Sequence, residues 1–141
     1  MALYRLIYVS QAVSGIGYLD LIDIMQKSEK NNMPVGITGM LSFGDSMFLQ
    51  VLEGSRRTVC QTYNRILGDK RHVNPELIEF TEIDHREFGL WSMKAVQIDN
   101  HPEIRNTLLK YSYSTTFSPY SMTGNQCLSF LHEIMGIYQN K

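Results

Sequence analysis

The run Met47-Phe48-Leu49-Gln50-Val51-Leu52 alternates like an extended strand, so Phe48, Gln50 and Leu52 share one face and two of those three are core types. A glutamine is thereby sent inside. A buried carboxamide without partners costs roughly a few kcal/mol, so polar groups must meet both its carbonyl and its amide. A second strand-like run, Leu3 to Val9, puts Tyr4, Leu6 and Tyr8 on one face, and a buried phenol also needs a partner. Spacing alone is satisfied by a Tyr–Gln hydrogen bond inside a core.

Two further groups of polar residues fall where apolar ones are expected. The core stripe of the first helical segment runs on into Ser28, Asn31 and Asn32, and Pro34 follows closely. Asparagine there is an ordinary helix stop, or else it lines an opening beside the helix. Arg65, Asp69, Arg71 and His72 gather around the end of the second helical segment, as solvated charge or as a phosphate-sized cation cluster. Together these residues describe a slot between two helices, apolar in the middle, lined with amides, and cationic at one end. A dinucleotide with a planar ring fits such a slot.

The elements that would position these residues can be read from periodicity. Leu3–Val9 reads as a strand. Tyr18 to about Asn31 reads as a helix with Leu21, Ile24, Met25 and Ser28 on one side. Val35–Phe43 and Met47–Leu52 form a hairpin around Gly44-Asp45. Ser55 caps a second helix that runs through Leu67, with Val59, Tyr63 and Ile66 on one face and Gly68 as its stop. Strands follow at Glu76–Glu82 and at Met93–Ile98. The order βαββαββ predicts an α+β ferredoxin-like sandwich with two helices on one face of a mixed sheet. Helical segments at Pro102–Tyr113 and Thr123–Tyr138, the latter with a stripe of Leu128, Leu131, Ile134, Met135 and Tyr138, are expected to cover the other face, joined by a loop over Ser114–Met122.

Composition narrows the classes of function. The 141 residues, 43% apolar and 19% charged, suit one core of ordinary size. Thirteen basic and fourteen acidic residues give a formal charge of −1, which offers no electrostatic footprint for nucleic acid. An RNA-binding sandwich is disfavoured on that ground, and a flavin-dependent oxidoreductase lacks a glycine-rich dinucleotide loop. No window approaches the roughly 18 apolar residues of a membrane span, so no membrane contact and a cytoplasmic location are expected. Cys60 and Cys127 show neither metal-ligand nor CxxC spacing, and both are expected to be buried thiols.

The stretches Leu3-Tyr4-Arg5-Leu6-Ile7-Tyr8-Val9-Ser10, Asn31-Asn32, Gly36-Ile37-Thr38-Gly39, Phe48-Leu49-Gln50-Val51-Leu52-Glu53-Gly54 and Trp91-Ser92-Met93 resemble the BLUF photoreceptor domain over about residues 1–100. Residues 101–141 resemble the two-helix tail of stand-alone cyanobacterial BLUF proteins of the PixD type. The resemblance implies a blue-light sensor that is not an enzyme. It would bind FAD non-covalently between the two helices, with FMN or riboflavin able to substitute. Tyr8 and Gln50 would be photoactive, with Trp91 and Met93 on or near the fifth strand as the relay. Ile24, Ser28, Asn31, Asn32, Phe48, Gln50 and Ile66 would line the flavin, and Arg65, Arg71 and His72 would lie towards its ribityl and phosphate end. Residues 1–100 would sense and 101–141 would provide output and oligomerisation. The implied assembly is a homo-oligomer, up to a decamer, with a response-regulator-like protein of the PixE type as partner. A non-photoactive interaction module with the same core is the alternative.

Overall fold

The structure, a computed structural model, describes residues 2–139 and the side chains of 2–138; residues 140 and 141 of the expected tail lie outside the described residues. Its elements run β1 (Leu3–Ala12), α1 (Tyr18–Asn32), β2 (Thr38–Gly44), β3 (Met47–Gly54), α2 (Arg56–Leu67), β4 (His72–Ile83), β5 (Lys94–Gln97), α3 (Pro102–Leu108) and α4 (Gly124–Gln139). The sheet order is β4-β1-β3-β2-β5. All neighbours are antiparallel except β2 and β5, which run parallel. The first four strands have the ferredoxin-like arrangement that the βαββαββ order predicts, and β5 extends it at the β2 edge.

Local chemistry accounts for the element ends. Ser55 caps α2, its hydroxyl accepting from Thr58 N at 3.2 Å, and Gly68 follows the last turn. At the start of α1 the Asp20 carboxylate accepts from Gly17 N at 3.0 Å.

The β2–β3 turn is Asp45-Ser46 rather than Gly44-Asp45, and both residues have positive φ, 49° and 62°. Asp tolerates that conformation, and Arg105 pins its carboxylate at 2.6 Å. Gly44 stays in the strand because of packing, since a Cβ there would lie 2.6 Å from the Ile98 Cβ. β2 begins at Thr38, not Val35, because Met33–Val35 forms a 3-10 turn around Pro34 that Gly36 ends at φ 72°. β4 is longer than expected and α3 shorter, stopping at Leu108. A second 3-10 turn, Pro119–Ser121, lies within the segment expected to be a loop. Cys127 is buried, its thiol pushed up to about 12 by burial, whereas Cys60 is exposed on the outer face of α2.

Strand alternation divides the interior in two. On the helix side Leu6, Tyr8, Leu41, Phe48 and Leu52 pack beneath Leu21 of α1 and Val59 of α2. On the other side Ile7, Met40, Leu49 and Val51 meet Ile104 and Leu108 of α3 and Phe130, Leu131 and Ile134 of α4. Leu128, Met135 and Tyr138 pack against that second core, so the whole expected stripe faces the sheet. The Tyr138 hydroxyl also donates to the carbonyl of Gln97 on β5.

Leu131 is 0% exposed in the second core, so Leu131→Ala should destabilise the protein by about 2–5 kcal/mol. Chemical denaturation of the two proteins checks this, and a loss under about 0.5 kcal/mol would place α4 outside the cooperative core.

Candidate functional site

A cavity of about 200 Å³ opens between α1 and α2 above the helix side of the sheet. α1 contributes Ile24, Ser28, Asn31 and Asn32 to its wall, β3 Phe48 and Gln50, α2 Arg65 and Ile66, the segment after α2 Arg71, and the start of β4 His72. These are all ten residues expected to line a cofactor. Tyr8 and Leu41 complete the floor. Asp69 lines the charged end with Arg65, Arg71 and His72, and Lys27, Leu41 and Thr62 line the cavity without having been singled out by the sequence. Thr62 was within reach, because it lies three residues after Val59 and four before Ile66 on the same helix face.

The floor carries a chain of hydrogen bonds. Tyr8 and Gln50 are register partners across β1 and β3, so the two side chains rise side by side from the same face. The Tyr8 hydroxyl donates to Gln50 Oε1. Gln50 Nε2 in turn donates to Met93 Sδ at 3.4 Å. Tyr8, Gln50 and Met93 are 3%, 3% and 1% exposed, so water does not compete for these contacts. Burial first, then the neighbouring Tyr63 and Asp69, push the Tyr8 phenol far above its ordinary range and keep its proton in place. These contacts use only two of the four hydrogen-bonding positions of the Gln50 carboxamide.

At the α1 end of the cavity Asn32 is 2% exposed and its Nδ2 donates to the carbonyl of Ser92 at 3.1 Å. Asn31 is exposed at the rim. At the other end the cations differ from one another. Arg71 is held by Asp69 at 2.7 Å and by Asp23 at 2.9 Å, and its fork is spent on them. His72 bonds the carbonyl of Ile66 through Nε2 and the hydroxyl of Ser10 through Nδ1, both at 2.8 Å. A carbonyl only accepts, so Nε2 donates and the ring braces β4 against α2. Arg65 is exposed, and among the described residues no carboxylate pairs with it.

Trp91 and Met93 lie in the β4–β5 connection just before β5, which begins at Lys94. They point to opposite sides of the sheet. Met93 packs in the helix-side core and Trp91 against the tail-side core. The Trp91 carbonyl accepts from Gly39 N at 3.1 Å. Among the described residues no three potential metal ligands cluster, and no helix is long and apolar enough to cross a membrane.

A sequence model of the BLUF family, "Sensors of blue-light using FAD", matches residues 3–94. The chain is 30% identical over 118 residues to photoactivated adenylate cyclase subunit beta of Euglena longa, a match that covers 81% of this chain and 14% of that protein. The chain therefore spans about one seventh of that relative's length. Among solved structures, the photo-activated state of BlsA is 33% identical with a TM-score of 0.83, covering 93% of both chains. The dark state of BlrB, a BLUF protein, is 25% identical with a TM-score of 0.78, covering 97% of both. The cavity suits the flavin named by the family model. Its walls are apolar at Ile24, Leu41, Phe48 and Ile66, and half the hydrogen-bonding capacity of Gln50 remains for a polar ring edge.

Asn32→Ala should lower flavin content and also release Ser92, because one side chain both lines the cavity and holds the connection. The loss should be about fivefold or more in flavin affinity, as for a hydrogen bond of about 1 kcal/mol. Equilibrium dialysis against FAD checks this, and unchanged affinity would leave Asn32 a purely structural tie.

Proposed function

The chain belongs to the BLUF family of blue-light sensors using FAD, and on that premise we propose that it senses blue light by rearranging the hydrogen bonds of Gln50. The observation that carries the reading is the Tyr8–Gln50–Met93 chain on the cavity floor. Bound there, FAD supplies the absorption of blue light and an electron-accepting excited state. Asn32 and Asn31 hold the pyrimidine edge, Ile24, Ser28, Phe48 and Ile66 line the ring and its chain, and Arg65 serves the phosphate end. Arg71 and His72 shape that end and act through their neighbours.

Tyr8 is the electron donor. Its phenol is buried and protonated, and a phenol that loses an electron becomes strongly acidic, so the proton leaves Oη along the bond to Gln50 Oε1. Gln50 answers by rotation or tautomerisation, since a carboxamide donates at one end and accepts at the other. The electron and proton then return to Tyr8, leaving no net reaction and a rearranged Gln50. The signal state is a difference in hydrogen bonding, read as a small red shift of absorption.

Output starts at Met93, which gains or loses the Gln50 amide, and passes through Trp91 and β5 to the tail. Residues 1–100 sense, while the tail from residue 101 presents the change to a partner. The support is the opposed placement of Met93 and Trp91, one in each core. We take the signalling assembly to be a homo-oligomer with a response-regulator-like protein of the PixE type, and the chain itself to perform no turnover.

Tyr8→Phe and Gln50→Leu should each bind FAD at close to the wild-type ratio, because volume is retained, and each should lose the reversible red shift. Absorption spectra before and after blue light check this. A normal reversible shift in either variant removes that residue from the switch.

A further inference from the structure

Glu53 is a carboxylate with 0% exposure, at the end of β3 and three residues beyond Gln50. It faces the tail side of the sheet, where an apolar residue would fill the space without the cost of burying a charge. Its oxygens are used in full view of one segment. Oε1 accepts from Phe88 N at 2.9 Å and from Thr38 Oγ1 at 3.0 Å, and Oε2 accepts from Glu87 N at 2.6 Å. The Thr38 hydroxyl, having donated to Glu53, accepts from Arg86 Nη1 at 2.7 Å, and the same nitrogen donates to the Glu53 carbonyl at 3.2 Å.

The segment gripped this way leads directly to the switch. Residues 84–93 contain no helix or strand, so their position depends on such attachments. After Glu53 come the Gly39–Trp91 bond, the Asn32–Ser92 bond and finally the Gln50–Met93 contact. The approach is tight at Gly39, where a Cβ would lie 1.9 Å from the Val51 carbonyl oxygen and 3.3 Å from Met93 Cε. One strand thus carries both the residue that Met93 reads and the residue that fixes where the Met93 segment begins.

We infer that Glu53 is a positioning residue of the photoswitch: by holding the backbone N–H groups of Glu87 and Phe88 it sets the reach of Met93 to Gln50, and with it the rate at which the lit state relaxes. The inference rests on the Gln50–Met93 reading above. Glu53→Gln keeps the shape but turns an amide N–H towards a backbone N–H, opposing two donors. Thr38→Val removes the hydroxyl at nearly constant volume, and Thr38→Ser restores it.

The test is the dark-recovery rate of the full chain loaded with FAD, together with the light-minus-dark infrared band of the flavin C4 carbonyl. Glu53→Gln should retain FAD at the wild-type ratio while changing the recovery rate by about threefold or more and moving that band. Thr38→Val should change the rate in the same direction by about twofold, and Thr38→Ser should match wild type. A folded, loaded Glu53→Gln with wild-type rate and band overturns the inference. Should that variant fail to fold, equality of Thr38→Val and Thr38→Ser overturns it instead. A wild-type protein with no reversible red shift would take down the Gln50 reading and this one together, whereas a normal wild-type shift with unresponsive variants sinks only Glu53.

Discussion

A phenol and a carboxamide placed side by side on the buried face of one sheet must satisfy each other, and the rest of the site follows from how they do so. Once the Tyr8 hydroxyl donates to Gln50 Oε1, the amide end of Gln50 is directed away from Tyr8 and needs an acceptor of its own. Met93 supplies it with a thioether, a weak acceptor that gives up its partner at low cost. A stronger acceptor would lock the carboxamide. The register of β1 against β3 is therefore what keeps the pair together. A slip by one residue would send Tyr8 or Gln50 to the opposite core.

The two-sided sheet joins the cavity to the tail. The helix side holds the cavity, the tail side holds α3 and α4, and the β4–β5 connection is the segment that reaches into both through Met93 and Trp91. At its start Phe88 stacks on the His132 ring of α4 with centroids 5.1 Å apart, and Glu87 pairs with the same imidazole at 3.2 Å. The connection is thus fixed to the tail at one end and to Gln50 at the other. The photoactivated adenylate cyclase subunit beta of Euglena longa is far longer than this chain, which matches 14% of it.

Much of this architecture is legible in the residues themselves. Period-two runs place Tyr8 and Gln50 inside, Ser55 and Gly68 bracket α2, and the stripe from Leu128 to Tyr138 marks the face of α4 that seeks the sheet. What escapes sequence reading depends on partners far away along the chain. Gly44 looks like a turn residue until Ile98 is packed against it. Arg71 looks like a free cation until Asp23, from another helix, closes on it. Glu53 looks like an ordinary strand-end carboxylate, because its partners lie 34 and 35 residues away in a segment with no periodicity to reveal them. Cys60 looks like a buried thiol until α2 turns its face to solvent.

On the function proposed above, light rearranges the Gln50 carboxamide and its hydrogen bonds with no net redox change. The most direct measurement is the absorption spectrum of the purified, FAD-loaded chain in the dark, immediately after blue light, and again after dark recovery. The flavin bands should move to longer wavelength without loss of intensity, and the original spectrum should return in full. Bleaching of the bands, or a spectrum indifferent to light, would contradict it.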